Sequence, residues 1–383
     1  MEQKKIIFIS NNPITIKIKE LFQLSVFEEN GFDVEYWDLS QFIDPSLSNL
    51  PDKLAASNIF IIKSFAEMKE KVLQNSCNNT VFLSGLDDYY IYKKIFKFLT
   101  KQNFVITLLN PYGGVLHFKH SLIDKIKRAF SSNIFKKIND ALSNFYYNHL
   151  YKKIHNIDLT TYLFSSYPPY SFAINHPDYE YFTKIKNENT SIQTKPYIVF
   201  LDTYIPLHPD MVRFDALKYV EPKDYQKSMR DFFDKLEQKF NAEVIIAAHP
   251  KAKYDNNEFG NRKIIKYKTA ELVKNAELVV SHMSNSTAFV ILFNKPLIIV
   301  TTNKIETIPK FAFRLNMYAN FFNKTLYNIN KDDIEQMNFS KISDEIRDKY
   351  KYSYLTSPEI ENMSNKDILV KAYNDIFEKI KNI

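Results

Sequence analysis

The sequence predicts an α/β protein made of two doubly wound, Rossmann-like domains with parallel sheets. Two observations lead there. Short, unbroken apolar runs alternate with stretches of helical period, and a run without polar alternation suits a parallel strand covered on both faces. The alternation also starts afresh after residues 183–196 (TKIKNENTSIQTKP), which are polar, aperiodic and end in proline. A chain of 383 residues has the length of two ordinary domains.

The elements follow in order. Ile6-Ile7-Phe8-Ile9 is the first strand. Asn11 to Glu29 reads as one helix, with Ile14, Ile18, Leu21, Phe22 and Val26 on a stripe, and Gly31 ends it. Strands are then expected from Val34 to Trp37, Ile59 to Ile62, Val81 to Leu83 and Phe104 to Leu109. From about Phe118 to Ile154 the pattern becomes basic and helical. The second half repeats the plan. Its expected strands are Tyr197 to Leu201, Val244 to Ala248, Leu278 to Val280 and Leu297 to Val300, with a short pairing segment at 263–267. Helices are expected at Tyr225 to Phe240, at Thr269 to Asn275 and from near Ser284, and Ser364 caps a last helix, Lys366 to Ile380. The expected division is 1–185, 186–345 and a helical tail, 346–383, that packs back towards the N-terminal domain.

Composition excludes several classes. Hydrophobic content of 45% with 25% charged residues is globular. Only 5 glycines are present, without GxGxxG or GxxxxGK[ST], so no Gly-rich phosphate loop exists. The single cysteine, Cys77, permits neither an internal disulfide nor a Cys-based zinc site. The short apolar run at the N-terminus does not make a signal peptide, and no stretch approaches the ~18 apolar residues that suggest a membrane span. A cytoplasmic protein is expected, with peripheral attachment to the inner membrane as an extension of that reading. Lysines and aromatics are interleaved along the whole chain without a recognisable module, which argues against nucleic acid as a partner.

Ligands of open α/β sheets sit beyond the carboxyl ends of the strands, and three clusters follow strands of the second half. His249-Pro250-Lys251 puts an imidazole and a cation after Ala248, although His-Pro also suits a plain strand-to-loop turn. Ser281-His282-Met283-Ser284-Asn285-Ser286-Thr287 opens a helix and offers hydroxyls and free N–H groups to an anion. Helix capping by Ser284 or Ser286 would explain part of that cluster. Asp202 to Asp210 follows the first strand of the second domain, with Asp202 and His208 expected at an interdomain cleft. His117 and His120, three apart and without a carboxylate partner, read as surface, and no metal is expected.

In this order, His-Pro, then the Ser/Thr turn, then Asn294-Lys295-Pro296-Leu297-Ile298-Ile299 resemble the bacterial sialyltransferases and capsular Kdo transferases. The CDP-glycerol phosphotransferases of teichoic acid synthesis share a similar layout. The resemblance covers roughly residues 197–302 and implies a GT-B fold, two Rossmann-like domains facing a cleft. It implies a metal-independent transferase that uses a CMP-activated sugar, without a further cofactor, and a glycan or lipid-linked glycan acceptor in capsule or lipopolysaccharide synthesis. The sugar is expected to be sialic acid-like, another nonulosonic acid or Kdo. His249 maps onto the phosphate-binding general acid of those families, and Ser284, Ser286 and Thr287 onto their phosphate-binding Ser/Thr motif. Pro250, Lys251 and His282 join that expected pocket. The acidic base of the sialyltransferases lies in a D/E-D/E-G motif. Here Gly85-Leu86-Asp87-Asp88 is the nearest match, with the glycine in front, so Asp87, Asp88 and Asp202 are the candidates.

Rival readings are a phosphotransferase taking glycerol phosphate from CDP-glycerol, a non-catalytic GT-B-like protein and, more distantly, a UDP-sugar epimerase. The segment 119–153 carries eight lysines and arginines against Asp124 and Asp140. It reads first as a domain helix with a solvated cationic face, and as a sharper expectation as an element docking on anionic lipid.

Overall fold

The apolar runs pair as parallel strands in two separate sheets. A computed structural model describes residues 3–43, 45, 53–112, 134–189, 191–208, 220–255 and 257–381. The first sheet comprises β1 (Lys5–Ser10), β2 (Asp33–Asp38), β3 (Ile59–Ile61), β4 (Thr80–Ser84), β5 (Val105–Asn110), β6 (Leu163–Ser165) and β7 (Phe172–Ala173), in the order β3-β2-β1-β4-β5-β6-β7. The second comprises β8 (Tyr197–Leu201), β9 (Glu243–Ala247), β10 (Ile264–Ile265), β11 (Leu278–Ser281), β12 (Leu297–Thr301) and β13 (Leu326–Asn328), in the order β10-β9-β8-β11-β12-β13. Every pairing in both is parallel. Counted from its own first strand, each sheet begins 3-2-1-4-5-6, the doubly wound Rossmann order. Two such sheets in one chain are the ingredients of the GT-B plan that the sequence predicts.

The central strands are apolar throughout because both faces are covered. Ile6, Ile7, Phe8 and Ile9 are fully buried, as are Ile198, Val199 and Phe200, and each such side chain contributes roughly 1.5–3 kcal/mol on leaving water. The stretch 11–29 departs from the single helix expected. It forms two, Ile16–Leu21 and Leu24–Glu29, broken where Gln23 takes a left-handed φ of 50°. The break turns Leu24 and Phe27 into the core and brings the Phe22 ring to 4.8 Å from Phe8. Gly31, at φ 81°, closes the second helix as the sequence predicts. Glycine is needed again at Gly85, where a Cβ would lie 2.7 Å from the Phe8 ring.

The described chain divides into two compact units. One takes residues up to 112, 134–176 and 356–381, and the other 177–355. Both boundaries differ from the expected 185/186 and 345/346. Helix Pro177–Ile185 joins the second unit because Tyr181 donates to Glu271 Oε1 at 2.8 Å and Phe182 packs on Phe293. Helix Asp344–Tyr350 stays there too, through Tyr350 against Phe322. The final helix, Asn365–Ile380, begins at Ser364, whose hydroxyl accepts from the Asp367 amide. It lies in the core of the first unit, where Tyr373 packs on Phe27 and Phe164 and its hydroxyl pairs with Thr107 at 2.6 Å. Much of the basic segment, residues 119–133, lies outside the described residues, as do His117, His120 and Asp210. Its remainder is a helix, Ile134–Tyr146, that continues through a π-helical turn, Tyr147–Tyr151, to Ile154.

Candidate functional site

In the second sheet the strand order reverses at β8, with β9 on one side and β11 on the other. Leu201 is level with both Ala247 and Ser281, so the three chains leave the sheet at one height. There a small cavity of about 40 Å³ is lined by Leu201, Asp202, Ala247, Ala248, His249, Pro250, Thr269, Ser284 and Ser286. The position is where an open α/β sheet takes its ligand. Residues 47 and 82 positions apart in the chain, Asp202 with His249 and with Ser284, therefore share one recess.

Asp202 organises it. Its Oδ1 accepts the Tyr204 amide at 2.8 Å, and its Oδ2 accepts the Tyr254 hydroxyl at 2.9 Å and the His249 amide at 3.3 Å. Burial pushes the carboxyl up to about 6, while the three donors oppose the rise. The turn after it holds Tyr204 at φ 56°, a left-handed conformation costing about 1–2 kcal/mol for a residue with a side chain. The Asp202–Tyr204 hydrogen bond and the edge-on packing of Tyr204 against Tyr254 offset that cost.

His249 is half-buried, and its Nδ1 accepts the Lys251 amide at 3.1 Å. A neutral imidazole that accepts at Nδ1 carries its proton on Nε2 and is a donor there. The ring of His208 stands edge-on at 4.7 Å, so two imidazoles meet beside the recess. Pro250 lines the recess, whereas Lys251, exposed beside it in the chain, is not among the lining residues.

Ser284 and Ser286 are half-exposed. Ser286 occupies the cap position of helix Thr287–Leu292, yet its hydroxyl makes no capping bond. The Ser284 hydroxyl accepts the Ser286 amide at 3.2 Å. Capping thus accounts for neither hydroxyl in the usual way. The helix has 6 residues, so the aligned peptides are few and the hydroxyls and nearby N–H groups matter more than a macrodipole. Thr269, read in the sequence only as a helix start, is a further lining residue.

Two further expected ligands do not face the recess. His282 is fully buried, with Nδ1 donating to Val300 O at 2.6 Å and Nε2 accepting from the Tyr225 hydroxyl at 2.9 Å. Burial pushes it down to about 4, and this neutral imidazole is a core crosslink. Thr287 is also fully buried, its hydroxyl paired with that of Tyr318. His282 is held in the core by Val300 and Tyr225, and Thr287 by Tyr318, so neither side chain reaches the recess.

Asp87 and Asp88 belong to the first unit, on the exposed turn after β4. Asp88 is ion-paired with Lys152. Among the described residues, no group of three or more His, Cys, Asp or Glu is placed to hold a metal ion. His176 is buried, and burial pushes it down to about 4.

No family model matches the chain, and no curated protein does. Solved structures similar to it include the wall teichoic acid polymerase TagF (10% identity, TM-score 0.48, covering 99% of this chain and 89% of that one). The calicheamicin glycosyltransferase CalG4 is similar at 10% identity and a TM-score of 0.44, covering 99% and 98%. A UDP-GlcNAc 2-epimerase of Methanocaldococcus jannaschii is similar at 12% identity and 0.36, covering 91% and 98%. The fold assignment rests on the strand orders and registers above, not on these likenesses.

Proposed function

We propose that this protein is a metal-independent glycosyltransferase that moves a sialic acid-like sugar, another nonulosonic acid or Kdo from a CMP donor to a glycan acceptor in bacterial surface polysaccharide synthesis. The observation that carries the reading is the meeting of His249, Ser284 and Ser286 at one recess of the second sheet. The recess suits a single phosphate group, and the choice of CMP follows the motif resemblance. As the glycosidic bond breaks, charge develops on the departing phosphate. Donors already aimed at that oxygen lower the barrier because they need no reorganisation. His249 Nε2–H supplies one such donor and can pass its proton to the phosphate. The Ser284 and Ser286 hydroxyls supply others.

The acceptor hydroxyl needs a base as it attacks. Asp202 ionises near neutrality, but three donors already occupy its oxygens. In this reading it positions the His249 turn, which leaves Asp87 and Asp88 as the sequence's remaining candidates for the base. A second reading, phosphotransfer from CDP-glycerol, is favoured by the His208–His249 contact, since two imidazoles at one phosphate offer an acid and a base.

Calorimetry with CMP, CDP, UDP, CMP-sialic acid, CMP-Kdo and CDP-glycerol tests both. CMP and a CMP-sugar should bind, and His249→Ala should weaken transfer by about 100-fold or more. Selective binding of CDP-glycerol would establish the second reading. Full activity in a folded His249→Ala protein would refute both.

A further inference from the structure

We propose that the helix running from Ile134 to Ile154 is a docking surface for an anionic lipid bilayer. The helix lies in the first unit, and the inference does not rest on the phosphate recess of the second. Six large apolar or aromatic side chains on it are exposed: Ile138, Leu142, Phe145, Tyr146, Leu150 and Ile154, with Leu142 at 62%, Phe145 at 64% and Ile154 at 59%. They form one stripe, about 24 Å long at 1.5 Å per residue.

The π-helical turn Tyr147–Tyr151 keeps that stripe straight. At the 100° per residue of an α-helix, Ile154 would rotate round to the side that buries Tyr147. A π turn winds more slowly, so Leu150 and Ile154 stay in line with Ile138 and Leu142. The inward side is committed elsewhere. Tyr147 is fully buried, Lys152 pairs with Asp88, and Asp140 accepts from the Tyr90 hydroxyl at 2.9 Å.

Charge decides what covers the stripe. Lys153 is exposed on the stripe side, and Lys93 and Lys97 of helix Lys93–Lys101 lie over the Tyr151 ring at 5.7 and 5.9 Å. None of these three lysines forms an ion pair among the described residues, and the stripe carries no acid. A symmetric pair of copies meeting on this face would bring the same lysines together, and like charges oppose such an interface. A bilayer with anionic headgroups receives both features, the apolar side chains in the headgroup–acyl boundary and the ammonium groups at the phosphates. The helix docks without crossing: no helix among the described residues is long and apolar enough to span a membrane.

The full chain should be co-sedimented with phosphatidylcholine vesicles and with vesicles carrying phosphatidylglycerol, and its mass measured by light scattering without lipid. Binding should require the anionic lipid and weaken in high salt. Leu142→Asp/Phe145→Asp should reduce it by about tenfold or more, as should Lys97→Glu/Lys153→Glu. Leu73→Asp, at another exposed apolar position of the same unit, should leave it unchanged. The proposal is overturned if the chain ignores phosphatidylglycerol, or if both stripe variants bind as well as the parent protein. It is overturned equally if the stripe substitutions change only the oligomeric mass, which would make a second copy the occupant.

Discussion

Replacing Tyr254 with phenylalanine deletes one hydroxyl from the Asp202 carboxylate and leaves the ring packing on Tyr204 and Phe259 in place. The cost depends on pH. Burial raises the folded carboxyl to about 6, against about 3.9 in an unfolded chain. The folded form therefore gains from holding a proton: this contribution is fully present below about pH 4 and is lost as pH rises through about 6. Tyr254 donates more strongly to the ionised carboxylate than to the neutral acid. At pH 8 the lost bond is to a charged group and is worth about 1.5–3 kcal/mol, whereas at pH 5 it is an ordinary bond of about 0.5–1.5 kcal/mol. The variant should thus be about 1 kcal/mol worse relative to the parent at pH 8 than at pH 5, equivalent to nearly one further unit of rise in the carboxyl. Urea unfolding followed by circular dichroism at the two pH values measures the difference. A gap that is equal at both, or larger at pH 5, would refute the assignment of Asp202 as a buried, hydroxyl-supported carboxylate.

Two further outcomes are expected. Ser286→Ala should leave stability within about 0.5 kcal/mol, because its hydroxyl makes no cap, while calorimetry shows CMP affinity falling about tenfold; the opposite pattern would make it a structural residue. Asn365→Ala should destabilise the first unit by about 2–4 kcal/mol. That side chain accepts the Asn175 amide at 2.7 Å and donates to the Asn175 carbonyl at 2.8 Å, both buried. Urea unfolding read by Trp37, the single tryptophan and buried in the same unit, measures the loss.

Long apolar runs were legible as strands because a covered parallel strand needs no polar residue, and β1, β4, β5, β8, β9, β11 and β12 all announce themselves so. The strands β6, β7 and β13 were not. Two or three residues cannot show a period, and Leu163–Ser165 is a strand because β5 pairs with it. Gln23 likewise carries no breaker signal, and its left-handed turn follows from where Phe22, Leu24 and Phe27 must pack.

At the site the same division holds. The chain alone placed His249, Asp202 and the serines after apolar strands, since strand ends can be read from local hydrophobicity. It could not separate His249 from His282, which both follow such strands by one or two residues. Parallel register decided that, setting Leu201 level with Ala247 and Ser281, so that one imidazole lines the recess and the other crosslinks Tyr225 to Val300. Local sequence sets the period and the ends of elements because those depend on neighbouring residues. Which side chains meet depends on pairing between segments dozens of residues apart, and only the folded sheet supplies it.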